Sequence, residues 1–241
     1  MYTNQSCDRC IIFSKSVFAN IDKKDIKILS EKKKCSSFKK GQSVIRANTN
    51  PIGIYCVNKG KLKVFKYGVM GKEYVFRFVS PGELIGMKAL FCNKNYTTNI
   101  VAVEDSNLCL IYKNDFLNIL SKYPSVEFKI ITALCERLEE VDNKITSLAQ
   151  KSVRERLAEE LITLNNIFNK EKNVDSNTAE DADSNTLSFS REELANIVGT
   201  SKETITRFLS EFKNDKLLSI KGRKITILNI KGLKKIGSIF K

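Results

Sequence analysis

Histidine and tryptophan are absent from the 241 residues, and proline occurs only three times. The missing imidazole excludes a Ser-His-Asp or Cys-His catalytic pair, a His-ligated haem and a mixed Cys/His zinc finger. Any proton-transfer group has to be a carboxylate, a lysine or a thiolate. The patterns GxGxxG, GxxxxGK[ST] and GxSxG are missing as well, and no convincingly spaced carboxylate pair replaces them. The expectation is therefore a protein that is not an enzyme. Long apolar runs are also lacking: in the first thirty residues the longest is Ile11-Ile12-Phe13. Neither a secretory signal nor a spanning helix is expected, which places the chain in the cytoplasm with no membrane partner and its seven cysteines as thiols.

What is present is ordinary core material with an uneven charge. Hydrophobic residues make up 42% of the chain, enough for one or two buried cores. Forty-one Lys and Arg against 27 Asp and Glu leave a net charge of +14, which favours a polyanionic partner, nucleic acid or an anionic membrane surface. An AT-biased genome would enrich Lys, Asn and Ile too, but evenly. Residues 188–241 hold twelve Lys/Arg and five Asp/Glu, a net +7, so half the excess sits in less than a quarter of the length.

From about Phe38 to Tyr112 the chain alternates with a period near two and is punctuated by glycine, as in Gly60 to Lys66 and Tyr74 to Val79. This spacing predicts an all-β sandwich or roll. After Lys113 the period becomes helical. Val126, Ile130, Leu134, Leu138, Val141, Ile145 and Leu148 form a narrow apolar seam on a long helix, read as a coiled-coil dimer interface in preference to a face packed on its own β domain. Cys135 lies near that seam and is expected to pack there. A second amphipathic helix runs from Ser152 to about Phe168, and Lys170 to Thr186, with almost nothing to bury, reads as a solvated loop or linker.

The basic end carries the most informative pattern. Ser190 with Glu193 forms a capping box for a short helix that stops at Gly199. Thr200 or Ser201 then caps a second helix, Lys202 to Asn214, with Ile205, Phe208, Leu209 and Phe212 facing inward. Two short helices about a glycine turn predict a helix-turn-helix. Leu217 to Leu228 alternates about Gly222 like a hairpin with the basic tip Lys221, Arg223 and Lys224, the wing of a winged helix. The polar face of the second helix offers Lys202, Glu203, Thr206 and Arg207 at the end that enters a major groove, where Arg can bond guanine and Glu can accept from cytosine. Thr200, Ser201, Lys221, Arg223 and Lys224 are the expected phosphate contacts. Glu203 and Arg207 are also spaced as an i,i+4 ion pair.

In this order the pieces resemble the Crp-Fnr family of bacterial transcription regulators over nearly the whole chain. The resemblance rests on Lys40-Gly41-Gln42, Asn58-Lys59-Gly60, Ser80-Pro81-Gly82-Glu83-Leu84-Ile85-Gly86 and, most specifically, Ser190 to Ala195 and Ile197 to Arg207. It implies an α+β architecture: an N-terminal double-stranded β-helix of jelly-roll or cupin type as effector domain with an N-terminal helical segment (1–120), a dimerisation helix (121–150) and a C-terminal winged helix-turn-helix (151–241). It further implies a homodimer on a palindromic TTGA-like site of double-stranded DNA, with RNA polymerase as a partner. Residues matching Glu203 and Arg207 read the half-site core in the family, and the one matching Thr206 distinguishes Fnr-like from Crp-like sites.

The departures bear on the signal. Members that bind cyclic AMP have a Glu after the glycine matching Gly86, and an Arg-Ser or Arg-Thr pair holding the phosphate near Thr97-Thr98. Met87 and Thr97 replace that Glu and that Arg, so of the candidate pocket residues Gly86, Met87, Thr97 and Thr98 none supplies the cation a cyclic phosphate needs. Cys7-Asp8-Arg9-Cys10 is similar to the oxygen-sensing branch, whose iron-sulfur cluster uses several N-terminal cysteines and one from the β domain, near Cys109. The third N-terminal cysteine is absent, with Ser16 about where it would stand. A [4Fe–4S] cluster wants four thiolates, so beside Cys7, Cys10 and Cys109 a fourth would have to come from Cys35, Cys56 or Cys92. Inert or thiol-sensitive cysteines are the preferred reading, and the inducing ligand is left open. The competing functions are a β-roll enzyme and a nonspecific nucleic-acid or membrane-surface binder acting through charge alone.

Overall fold

A computed structural model of the chain describes residues 6–169 and 185–237; apart from Asn185 and Thr186, the expected linker lies outside them. The chain forms two compact units, Met1–Gly68 with Val75–Glu139 and Val69–Tyr74 with Glu140–Lys241, so the division falls inside one helix.

In the first unit, helix α1 (Lys23–Lys32) precedes strands β1 (Lys34–Phe38), β2 (Ser43–Ile45), β3 (Gly53–Lys59), β4 (Leu62–Tyr67), β5 (Glu73–Val79) and β6 (Leu84–Ile85). Helix α2 (Met87–Phe91), strands β7 (Asn99–Ala102) and β8 (Ser106–Tyr112), helix α3 (Lys113–Lys122) and the 27-residue α4 (Pro124–Gln150) follow. Two four-stranded sheets result, ordered β1-β8-β3-β6 and β2-β7-β4-β5. Strand periodicity assigns the layers. Val57 of β3 and Leu108 of β8 turn inward to meet Ile45, Leu62, Val64, Ile100 and Ala102 in one core. Ile54 and Ile111, on the opposite face, pack under Phe18, α1 residues Ile26 and Leu29, α3 residues Phe116, Ile119 and Leu120, and Val126 and Ile130 at the start of α4. At Gly53 the strands approach so closely that a Cβ would run into the Ile111 carbonyl. Charged contacts hold α1 on α3: Lys32 lies 2.7 Å from Asp115, and Lys122 and Tyr123 both donate to Asp25.

The long helix follows the apolar seam read from the sequence, but only its first turns are covered. Val126 and Ile130 are buried, whereas Leu134, Leu138, Val141, Ile145 and Leu148 are 38–62% exposed. Cys135 is exposed in the single chain.

The second unit adds α5 (Val153–Asn169), β9 (Thr186–Ser188), α6 (Arg191–Val198), α7 (Lys202–Asn214), β10 (Leu218–Lys221), β11 (Lys224–Ile227) and α8 (Ile230–Gly237). Its three-stranded sheet runs β10-β11-β9. Leu157, Leu161, Leu164, Leu194, Ile205, Leu209, Phe212, Ile225 and Leu233, drawn from α5, α6, α7, β11 and α8, are all essentially buried. Thr186 is the first residue of β9, not the end of a loop, because its strand pairs with β11 through Leu187 opposite Ile225. Two buried asparagines bracket this junction: Asn169 donates to Asn165 (2.8 Å) and Asn165 to Asn185 (3.1 Å).

Candidate functional site

The helix-turn-helix is assembled by its caps. Ser190 accepts from the Glu193 N–H at 3.1 Å while the Glu193 carboxylate accepts from the Ser190 N–H at 2.7 Å, closing the capping box of α6. The helix ends at Gly199, whose φ of +74° is the left-handed conformation a tight turn requires. Ser201 then caps α7, accepting from the Thr204 N–H at 3.2 Å. With Ile205, Leu209 and Phe212 pinned in the core, the opposite face of α7 is turned to solvent. Lys202, Glu203, Thr206 and Arg207 are all exposed there, in the first two turns. The helix dipole makes this the electropositive end.

The expected Glu203–Arg207 ion pair is not formed. Glu203 is held by its own backbone N–H and by the Ser201 side chain, which lower its pKa. Arg207 lies over the Phe208 ring, 4.8 Å from its centroid. Stacking uses the face of a guanidinium and leaves its in-plane N–H groups for another acceptor. Thr206 donates its hydroxyl to the Lys202 carbonyl at 2.9 Å.

The wing stands next to this helix pair through contacts the sequence did not disclose. Lys221, Gly222, Arg223 and Lys224 form its exposed tip, with Gly222 at φ +60°. Arg223 reaches 2.8 Å from the Glu193 carboxylate, and Arg191 donates to the Gly222 carbonyl. Of the five expected phosphate contacts, Lys221 and Lys224 are exposed, Arg223 is engaged by Glu193, Ser201 serves as the α7 cap, and Thr200 is half-buried. Arg191 and Glu193 are thus positioning residues missed as such. Glu193 was legible as a cap, but its contact with a residue thirty positions on was not.

The four effector candidates differ in their surroundings. Gly86 has φ +97° and faces the Tyr96 ring and the Gly53 carbonyl, Met87 packs into the apolar cluster around Phe116, Thr97 is exposed and Thr98 half-buried. A cavity of about 260 Å³ lies beside Ser43, Arg46, Asn50, Tyr55 and Tyr96. Burial pushes the Tyr96 hydroxyl up to about 12, so it remains a neutral donor to the Gly53 carbonyl. Thr97 and Thr98 would offer a cyclic phosphate two hydroxyls, and neither supplies the cation it needs.

The cysteines converge differently from expectation. Cys35 of β1 and Cys56 of β3 both sit opposite Cys109 of β8. Cys10 accepts a 3.0 Å hydrogen bond from Asn58, and Cys7 packs against the same apolar cluster as Cys56. Lys33, 6% exposed, lies among them; burial pulls its pKa down, but Cys109, Cys7 and Cys35 outweigh that and raise it. Among the described residues no three His, Cys, Asp or Glu are gathered closely enough to hold one metal ion. The thiols as arranged do not fit a four-thiolate cluster. Nor is any helix among the described residues long and apolar enough to cross a membrane.

Comparison with known proteins agrees with this architecture. Residues 35–123 match the cyclic nucleotide-binding domain family, and residues 155–236 match the Crp-like helix-turn-helix domain family. The chain is 26% identical over 202 residues to the fumarate and nitrate reduction regulatory protein of Vibrio cholerae, covering 84% of this chain and 78% of that one. It is 23% identical over 224 residues to the transcriptional activator protein Anr of Pseudomonas protegens, covering 92% and 88%. In fold it is similar to a CRP/FNR-family transcriptional regulator of Thermus thermophilus, with a TM-score of 0.68, 24% identity and coverage of 85% and 98%. A β-roll joined to a capped helix-turn-helix with a wing, matched by both family domains, makes the chain a member of the Crp-Fnr family of DNA-binding transcription regulators.

Proposed function

We propose that the protein acts in the cytoplasm as a homodimer that binds a palindromic TTGA-like site, with RNA polymerase as its further partner, and answers a signal at the β-roll other than cyclic AMP. The observation that carries the reading is the solvent-facing start of α7, where Lys202, Glu203, Thr206 and Arg207 stand exposed opposite a buried apolar face. Arg207, stacked on Phe208, keeps its in-plane donors for guanine O6 and N7, and Glu203 is ionised to accept from a cytosine amino group. Lys221 and Lys224 supply phosphate contacts and salt-dependent affinity, with Arg223, Thr200 and Ser201 at closer quarters. The apolar strip from Leu134 to Leu148 supports the dimer, since two such strips side by side would cover each other and place two reading helices in successive grooves.

Binding of labelled duplexes at fixed salt tests this. Wild type is expected to prefer a TTGA palindrome over scrambled DNA, and Arg207→Ala to lose about 10- to 100-fold of that preference while retaining its affinity for scrambled DNA. An unchanged ratio in the variant would remove Arg207 from base reading. Equal affinity of wild type for all sequences and for anionic vesicles would leave only charge-driven binding.

A further inference from the structure

Three cysteines line up across three neighbouring strands: Cys35 of β1, Cys109 of β8 and Cys56 of β3 share one register row. Residues directly opposed in antiparallel strands point to the same face, with Cα atoms about 4.5–5.5 Å apart, inside the roughly 4.4–6.8 Å range of a disulfide. Cys35 and Cys109 are direct partners across β1 and β8, and each moves the other's pKa. The covering layer adds Cys7 from the N-terminal turn and the buried ammonium of Lys33 from the residue pair just before Cys35.

We propose that Cys35 and Cys109 form a thiol oxidation site that takes hydrogen peroxide or another small hydroperoxide and closes a cross-strand disulfide. The site stands whatever DNA sequence α7 reads. Cys35, half-buried at the edge strand, is the entry point; Cys109, on a central strand and buried, is the resolving thiol. The Cys35 thiolate attacks one peroxide oxygen, the O–O bond breaks, and hydroxide leaves to take up the proton Cys35 released. Cys109 sulfur then attacks the resulting sulfenic sulfur; the S–O bond breaks, and the departing hydroxide takes the Cys109 proton. Two thiols lose two electrons, one peroxide gains them, and two waters form.

The division of labour between neighbours is electrostatic. The neighbouring Cys109 thiol, with the Lys33 charge, brings Cys35 down to about 7. Cys109 is pushed up in return by Cys35 and by burial. Cys56 has the same register relation to Cys109, but burial and the nearby Cys10 and Cys7 hold it at about 12, so it stays a thiol. Cys35 therefore reacts first.

Full-length reduced protein treated with hydrogen peroxide, alkylated and digested with trypsin tests the assignment, because the three cysteines fall in different peptides, residues 35–39, 47–59 and 95–113. A bridged 35–39/95–113 pair is expected, retained in Cys56→Ser and lost in Cys35→Ser, where Cys109 stays alkylatable. Before oxidation, Cys35 is expected to react with iodoacetamide at pH 7 at least about tenfold faster than Cys56, a measurement on the unmutated protein. A Cys109 that bridges to Cys56, Cys7 or Cys10, or that remains free while other cysteines oxidise, overturns the proposal, as does equal alkylation of Cys35 and Cys56.

Discussion

Asp25 makes two contacts at once, accepting from Lys122 and from Tyr123, and so ties α1 to the end of α3. Those two donors, chiefly Lys122, hold its carboxyl below the usual aspartate range. A depressed folded pKa has a definite sign. Its contribution to stability is complete above the ordinary aspartate value of about 3.9 and disappears as pH falls through the lower folded value. Other carboxylates are depressed too, among them Asp105 and Glu155, so wild type should lose urea resistance below about pH 4 in any case. Comparison with Asp25→Asn isolates this residue: the variant should be less stable than wild type at pH 6 and closer to it at pH 3.5, read from urea midpoints. A constant difference across that range would mean that the carboxylate's charge is irrelevant to the contact.

Elements differed in how readily they could be read. Helix α7 was legible to the residue, Lys202 to Asn214, because a serine cap stands before it and its apolar positions repeat strictly every three or four residues. Its neighbour α6 was equally plain, being written between a capping box and a glycine with positive φ. Strand β9 was not: Thr186-Leu187-Ser188 holds one apolar residue, and its extended form comes from pairing with β11, about forty positions away. Helix α8 was missed for a related reason, since Leu233 and Gly237 acquire meaning only against α5. The candidate site divides along the same line. The exposure of Lys202, Glu203, Thr206 and Arg207 follows from local periodicity. The Arg223–Glu193 bond, the Cys35–Cys109 register and the position of the cavity depend on contacts between residues thirty or more apart. Because α6 owes its start to the capping box, Ser190→Ala should cost about 0.5–2 kcal/mol in chemical unfolding. A loss well under that range would indicate that Glu193 holds the helix start without its serine partner.

At the scale of the whole molecule the charge and the exposed apolar strip address the same question. A net +14 keeps like copies apart in dilute, low-salt solution, whereas the strip from Leu134 to Leu148 favours their association. If the homodimer forms as proposed, Leu138→Glu, a change at a side chain 62% exposed in the single chain, should yield a monomer by sedimentation analysis with an unaltered circular dichroism spectrum. Its affinity for a palindrome should fall toward that for a single half-site. A Leu138→Glu protein that remains dimeric would place the interface elsewhere.

The asparagine clasp beside β9 has a practical bearing. Asn165 touches Asn169, where the chain leaves α5, and Asn185, where it enters the winged helix again. Exit and return lie side by side, so the intervening stretch is closed by the clasp whatever its length, and doubling that length costs only about 0.6 kcal/mol. The point between residues 169 and 185 is therefore a natural port for a fluorescent reporter or an affinity handle. A label there leaves both chain ends untouched.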